Sequence, residues 1–265
     1  MAGDDTQPRQ TNQVMRRTVL AGGAAALGTV AAHAQTATQA RPGRGLLAYI
    51  GSYTPHVVHG GVGHGEGITL VRLDPHTGTL TPVKTYPAAS PSWLTIDPHR
   101  RFLYAINEID DFAGGAGSVT AYAIDPASAE LTGLNTVSSQ GKGPAQGSVH
   151  PSGKFVFVAN YGGGNVAVLP VQANGSLGDA VDVQADQGPP GAGRPADGPP
   201  DNFSISDHDG PHAHMIAADP SGRFVLVNDL GLDRTFIWKI DPGTGKLTAN
   251  DPPFIPAASA GAGPR

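Results

Sequence analysis

The sequence predicts an all-β fold, a β-propeller of four-stranded antiparallel blades, and three observations carry that prediction. Glycine (37) and proline (24) are abundant in the 265 residues, while aromatic residues are only 6%. Such punctuation between short apolar runs points to many strands and turns rather than helices. The segments SPSWLTIDPHRRFLYAINE (90–108), GPAQGSVHPSGKFVFVANY (143–161) and GPHAHMIAADPSGRFVLVND (210–229) repeat one pattern. The repeat recurs about 53 residues apart, from Ser90 to Gly143 and again from Gly210 to Gly263. Internal periods of this length mark propellers and related arrays.

Each repeat reads as four strands. A short inner strand follows a small residue and proline, and the chain then turns at Asp-Pro or His-Pro into a second strand. Gly153 and Gly222 are expected to supply the positive φ of that turn. Third strands follow at SVTAYAID, NVAVLPV and RTFIWKID, and weaker fourth strands close each unit. NYGGGN (160–165) reads as the turn between strands two and three, because a phosphate-cradling glycine loop needs a strand-to-helix context. A β-sandwich is the other all-β arrangement, but it does not demand a fixed repeat. The step from Gly143 to Gly210 is longer than the others and implies an inserted loop over 188–209.

The first repeat begins at LLAYIGSYT (46–54), which matches the second strand of the others, so its inner strand is expected to come from elsewhere. GAGPR (261–265) opens another repeat. The expectation is an incomplete propeller over 46–265 with about four blades of a larger ring, a native four-bladed ring being the alternative. Residues 1–34 read as an export signal: Arg16-Arg17, an Ala/Gly/Leu/Val run and Ala32-His33-Ala34 give a charged region, a short apolar region and an A-x-A site. The arginine pair resembles a twin-arginine signal. Cleavage after Ala34, a linker over 35–45 and a periplasmic or secreted mature protein without a stable membrane anchor are expected, with Met15 as an alternative start.

A net charge of -5 without a basic stripe argues against nucleic acid as partner. The chain has no cysteine, which excludes disulfides, thiolate metal sites and a cysteine nucleophile. No G-x-S-x-G elbow is present, which disfavours a serine hydrolase.

In an up-and-down blade, inner-strand starts and second-strand ends share one face. That face is expected to gather Trp93, Gln146, His212, His214 and Arg265 with Tyr53, Glu108, Tyr161 and Asp229, with Asn107, Asn160 and Asn228 just before the last three. Convergent polar and titratable groups at one mouth define the candidate site. His212 and His214 could also be structural, and with His208 and Asp209 they raise the question of a metal, which two-residue spacing does not support by itself. No metal and no cofactor is assigned. Glu108 and Asp229 could equally cap backbone amides.

GPHAH, NYGGGNVAVLPV, LDPHTGTLTPV, FLYAINE, DLGLDR and GAGPR together resemble the bacterial lactonase family typified by propeller-type 6-phosphogluconolactonases, across residues 46–265. That resemblance implies seven blades and hydrolysis of a sugar lactone, a small-molecule substrate. The fungal carboxymuconate-lactonizing enzymes, similar in scaffold, make a lactonizing cycloisomerase a further alternative; a non-catalytic periplasmic propeller binding a ligand or protein partner is another. Lactone opening needs a base and groups that hold an oxyanion. The resemblance implies catalytic roles for His212, His214, Glu108 and Arg265, and substrate contacts from Asn160, Tyr161, Asp229 and Gln146. Gln146 stands where family members often carry histidine, and SISDHDG lacks their preceding arginine; both departures weaken the transfer of a phosphosugar activity, so a different lactone or a related cyclic ester is expected. Arg194, in the inserted loop, is the displaced candidate for that arginine.

Overall fold

A computed structural model describes residues 46–55, 57–58, 61–193 and 207–265. The export signal, the linker and Arg194 lie outside the described residues. Among the described residues the regular structure is entirely β. The first sheet holds β1 (Leu46–Gly51), β4 (Gly67–Leu73) and β5 (Leu80–Pro87), with a small ribbon of β2 (Val57–Val58) and β3 (Gly61–Val62) between β1 and β4. The second runs β6 (Pro91–Ile96), β7 (Phe102–Phe112), β8 (Ala116–Ile124) and β9 (Leu131–Ser138). The third runs β10 (Pro144–Val149), β11 (Phe155–Asn160), β12 (Asn165–Pro170) and β13 (Asp182–Ala185). The fourth runs β14 (Ala213–Ala218), β15 (Phe224–Asp229), β16 (Arg234–Ile240) and β17 (Leu247–Pro256).

All neighbouring strands are antiparallel and joined in chain order, as the repeat predicts. Among the described residues the first sheet has three strands and no inner one, also as read from LLAYIGSYT. The second, third and fourth inner strands β6, β10 and β14 meet one another in turn, so the sheets fan from a common line.

The turns follow from side-chain chemistry. Asp97 Oδ1 accepts the amides of Arg101 and Phe102, and Asp219 Oδ1 accepts those of Arg223 and Phe224, closing the first hairpin of their blades. His150 holds the same position in the third sheet. It reaches the neighbouring blade instead, with Nε2 2.9 Å from Gly222 O, while Nδ1 accepts from Ser152 N. Gly153 and Gly222 have φ of 71° and 68°, as expected for these turns. Residues 161–164 form the turn between β11 and β12, as NYGGGN predicts.

Three apolar clusters fill the three seams between sheets. Ile68, Leu70, Leu103 and Ala105 pack between the first and second sheets. Tyr104, Ile106, Val156 and Val158 fill the next seam. Phe157, Ala159, Val168, Ile216 and Val227 fill the last. Each fully buried large side chain contributes roughly 1.5–3 kcal/mol. Every sheet except the terminal ones is therefore apolar on both faces, which is why β11 is buried along its whole length.

Candidate functional site

The site grows out of a defect that recurs in the sheets. The register between first and second strands shifts between Pro91 and Trp93, between Pro144 and Gln146, and between Ala213 and Met215. A β-bulge therefore falls on Ser92, Ala145 and His214, three equivalent positions. Bulges re-aim a side chain out of the regular alternation. All three residues line one cavity of about 340 Å³, together with Tyr53, Glu108, Tyr161 and Asp207. Of the three bulges only the last carries a titratable group.

Around His214 the walls are rings and carboxylates. The Tyr161 ring meets His214 edge-on at 5.7 Å and stacks on His212 at 4.6 Å and 24°. Tyr161 Oη donates to Asp207 Oδ2 at 2.6 Å, and Tyr53 Oη donates to Glu108 Oε2 at 2.7 Å. Burial and the Glu108 hydrogen bond push the Tyr53 hydroxyl up to about 12, and burial with Asp207 raises that of Tyr161 as well, so both remain donors at neutral pH. Burial, helped by the positive charge of Arg265, lowers the His214 pKa below its usual 6.5, so this imidazole is neutral at pH 7.

His212 is tuned the other way. Burial by itself would lower its pKa, but the hydrogen bond of Nε2 to Asp209 Oδ1 (2.6 Å) and the contact of Nδ1 with Tyr161 O (3.0 Å) raise it overall. Two histidines two residues apart thus have proton affinities shifted in opposite directions by their surroundings.

Of the eight residues expected at the site, Glu108, Tyr161 and His214 line the cavity, and His212 backs it through Tyr161. Arg265 acts on His214 and Tyr161 through its charge, while its carbonyl accepts from Asn228 Nδ2. Gln146, Asn160 and Asp229 are buried and do not line the cavity. Gln146 Oε1 accepts the amide of Ile216 at 2.7 Å, tying the third sheet to the fourth. Asn160 Nδ2 donates to Ser139 O at 2.8 Å. Asp229 Oδ1 accepts the amides of His212 and Leu232 at 3.0 and 2.8 Å.

Asp229 departs from its expected place for a reason of register. Pro91 pairs with Asn107, Pro144 with Asn160 and Ala213 with Asp229, so Asp229 is the counterpart of the asparagines and not of Glu108 and Tyr161. A slip of one residue moves a strand side chain to the opposite face. The equal four-residue loops of NYGGGN and DLGLDR carry the signal that fixes this register. Separately, the bulges put Ser92 and Ala145 at the cavity in place of Trp93 and Gln146.

Among the described residues no group of three or more histidine, aspartate or glutamate side chains is arranged to hold a metal. His208 Nε2 lies 3.1 Å from Asp233 Oδ1, and Asp233 also accepts the amides of Gly261 and Gly263, so this histidine belongs to a clamp on the last described segment.

Antiparallel sheets that adjoin through their inner strands, with a polar, histidine-bearing cavity at their bulges, have the architecture of propeller blades. The chain matches the family described as Lactonase, 7-bladed beta-propeller over residues 47–265, and it belongs to that family. It is 33% identical over 221 residues to a 6-phosphogluconolactonase of Bacillus subtilis, a match covering 83% of this chain and 55% of the relative. It resembles the solved periplasmic gluconolactonase PpgL of Pseudomonas aeruginosa, with a TM-score of 0.66, 31% identity and coverage of 83% and 56%. A candidate 6-phosphogluconolactonase from Bacteroides fragilis gives 0.69, 29%, 85% and 58%. The chain spans about half the length of the curated relatives it matches.

Proposed function

We propose that this protein opens a sugar lactone by hydrolysis in the cavity at the sheet bulges, with His214 as general base. The observation that carries this reading is a neutral imidazole, displayed by a bulge into a cavity otherwise walled by tyrosines and carboxylates. His214 takes a proton from water as its oxygen attacks the lactone carbonyl carbon. The tetrahedral oxyanion then collapses, the ring C–O bond breaks, and the imidazolium returns its proton to the leaving alkoxide. The product is a hydroxy acid, and the base is regenerated. Arg265, whose charge already reaches His214, is assigned to the oxyanion. Glu108 and Asp207 are assigned to accept hydrogen bonds from sugar hydroxyls.

Two carboxylates on the wall favour an unphosphorylated lactone over a phosphorylated one, since like charges that meet repel. The gluconolactonase neighbour supports the same choice. Export to the periplasm or beyond is supported by the paired arginines, the apolar run and the A-x-A site of residues 1–34, and by a periplasmic neighbour.

The test is a pH-stat assay of the purified chain on neutral aldonolactones and on a phosphorylated aldonolactone. Faster turnover of the neutral ring is expected. Preference for the phosphorylated ring would overturn the substrate assignment, and no turnover on any lactone would overturn the reading as a hydrolase.

A further inference from the structure

Two equivalent corners of the fold solve the same bonding problem with different chemistry. Ser139 follows β9 and donates its amide to Gly117 O at 3.0 Å; Asp186 follows β13 and donates to Gly164 O at 3.1 Å. Across the seam, Ser139 meets Asn160, whose Nδ2 supplies a donor at 2.8 Å. The counterpart of Asn160 is Asp229, so across the next seam Asp186 meets a second carboxyl group. Asp186 is 3% exposed and Asp229 is fully buried. Among the described residues, both oxygens of Asp186 and Oδ2 of Asp229 are buried without a hydrogen-bond partner.

Two ionised carboxylates cannot share such a place. Each loses hydration worth several kcal/mol, and the two repel. A cation in contact would relieve this, but the charged groups on the neighbouring elements are otherwise engaged. Arg234, on β16, gives Nε to Leu232 O and a terminal nitrogen to Pro189 O. The His212 ring, before β14, is turned to Asp209 and Tyr161 O. Asp233, in the same turn as Leu232, is held by the Gly261 and Gly263 amides and His208.

We propose that Asp186 and Asp229 share one proton across the seam between the third and fourth sheets, and that this acid pair fixes the backbone of His212 through Asp229 Oδ1. The proton does the work that the amide of Asn160 does in the previous seam. Asp186 is thereby a positioning residue for the histidine wall of the cavity. Burial, followed by the hydrogen bond and charge of Asp229, raises the Asp186 carboxyl to about 9. The folded chain therefore holds one proton more than the unfolded chain between pH 3.8 and about 9. Stability from this source is complete at low pH, falls as pH rises through that window, and levels off above it. That His212, stacked on the cavity residue Tyr161, matters to a substrate rests on the function proposed above; the acid pair itself is read without substrate.

The experiment uses the whole chain, with infrared spectroscopy, amide NMR and denaturant unfolding against pH. At pH 7 the wild type should show the carbonyl band of an un-ionised carboxylic acid, lost with a midpoint near pH 9. The His212 and Leu232 amide resonances should move with that midpoint. Asp186→Asn places an amide donor where the proton sits. Relative to it, the wild-type unfolding constant should change about tenfold more per pH unit between pH 5 and 8. The variant should lack the acid band and the amide titration. A wild-type spectrum with every carboxyl ionised by pH 6 overturns the proposal, and this needs no variant to fold. So does a variant that keeps the wild-type pH slope. A chelator that destabilises the wild type but not Asp186→Asn, with no acid band, would assign the site to a cation and also overturn it.

Discussion

The third and fourth sheets have the same strand order, the same bulge and the same four-residue turn between their second and third strands, yet they differ in the side chains placed on that frame. At the bulge the third sheet has Ala145 and the fourth has His214. At the corner the third has Asn160 and the fourth Asp229. Before the inner strand the third has Gly143 and the fourth His212, whose carbonyls accept the equivalent amides of Tyr161 and Leu230. The bulge at the cavity is thus a property of the repeat, while the histidine is a single-residue choice placed on it. Scaffold and chemistry are separable here, and each difference between the sheets can be tested by itself.

The largest expected effect is at the bulge. His214→Ala gives the fourth sheet the residue of the third, and it should lower lactone turnover by about 10²–10⁴, the usual contribution of a general base. Denaturant unfolding should move by less than about 1 kcal/mol, because the side chain is only half-buried. A loss of stability that accounts for the loss of turnover would instead make His214 structural.

Next is the corner. Asp229→Ala removes the acceptor of two amides, one buried and one half-buried, and should destabilise by about 2–4 kcal/mol, whereas Asn160→Ala orphans one carbonyl and should cost about 1–2 kcal/mol. Equal costs in urea titrations would break the comparison of the two corners. Gln146→Met gives the third sheet the residue of the fourth, Met215, and leaves the Ile216 amide without its acceptor. A cost of about 1–3 kcal/mol is expected from the same measurement.

The smallest effects are in pH dependence. His214 must be neutral to act and its pKa is lowered, so the acid limb of the rate profile should lie below pH 6.5. His212 is raised by its pairing with Asp209. Its contribution to stability is present below pH 6.5 and is lost as pH rises through the higher folded-state value. Asp209→Asn should flatten that small decline in a thermal-unfolding series and leave the acid limb of turnover in place.

The strands, their order and the missing inner strand of the first sheet were legible because turn residues and a fixed repeat are local features. So was the shared face that gathers Glu108, Tyr161 and His214. The bulges were not, since an extra residue in one strand is defined only by its pairing with the next. That single residue is why Gln146 was expected at the cavity and is found behind it, while Ser92 and Ala145 line it. Asp229 was expected there through a one-residue misalignment with Glu108 and Tyr161, which the equal turns of NYGGGN and DLGLDR correct. Asp207 comes from the far end of the inserted loop, and its bond to Tyr161 spans 46 residues with no local signature. The opposite tuning of His212 and His214 needed Asp209 and Arg265 in place around them.

Chemical rescue at the fourth bulge tests the central claim most directly. Lactone hydrolysis would be followed by proton release in the wild type and in His214→Ala, with and without added imidazole. The account predicts that the variant loses at least about 100-fold in turnover and that imidazole, diffusing into the vacated cavity, restores part of it. Equal turnover in the two proteins, or a loss that imidazole leaves untouched, would contradict the assignment of His214 as the base.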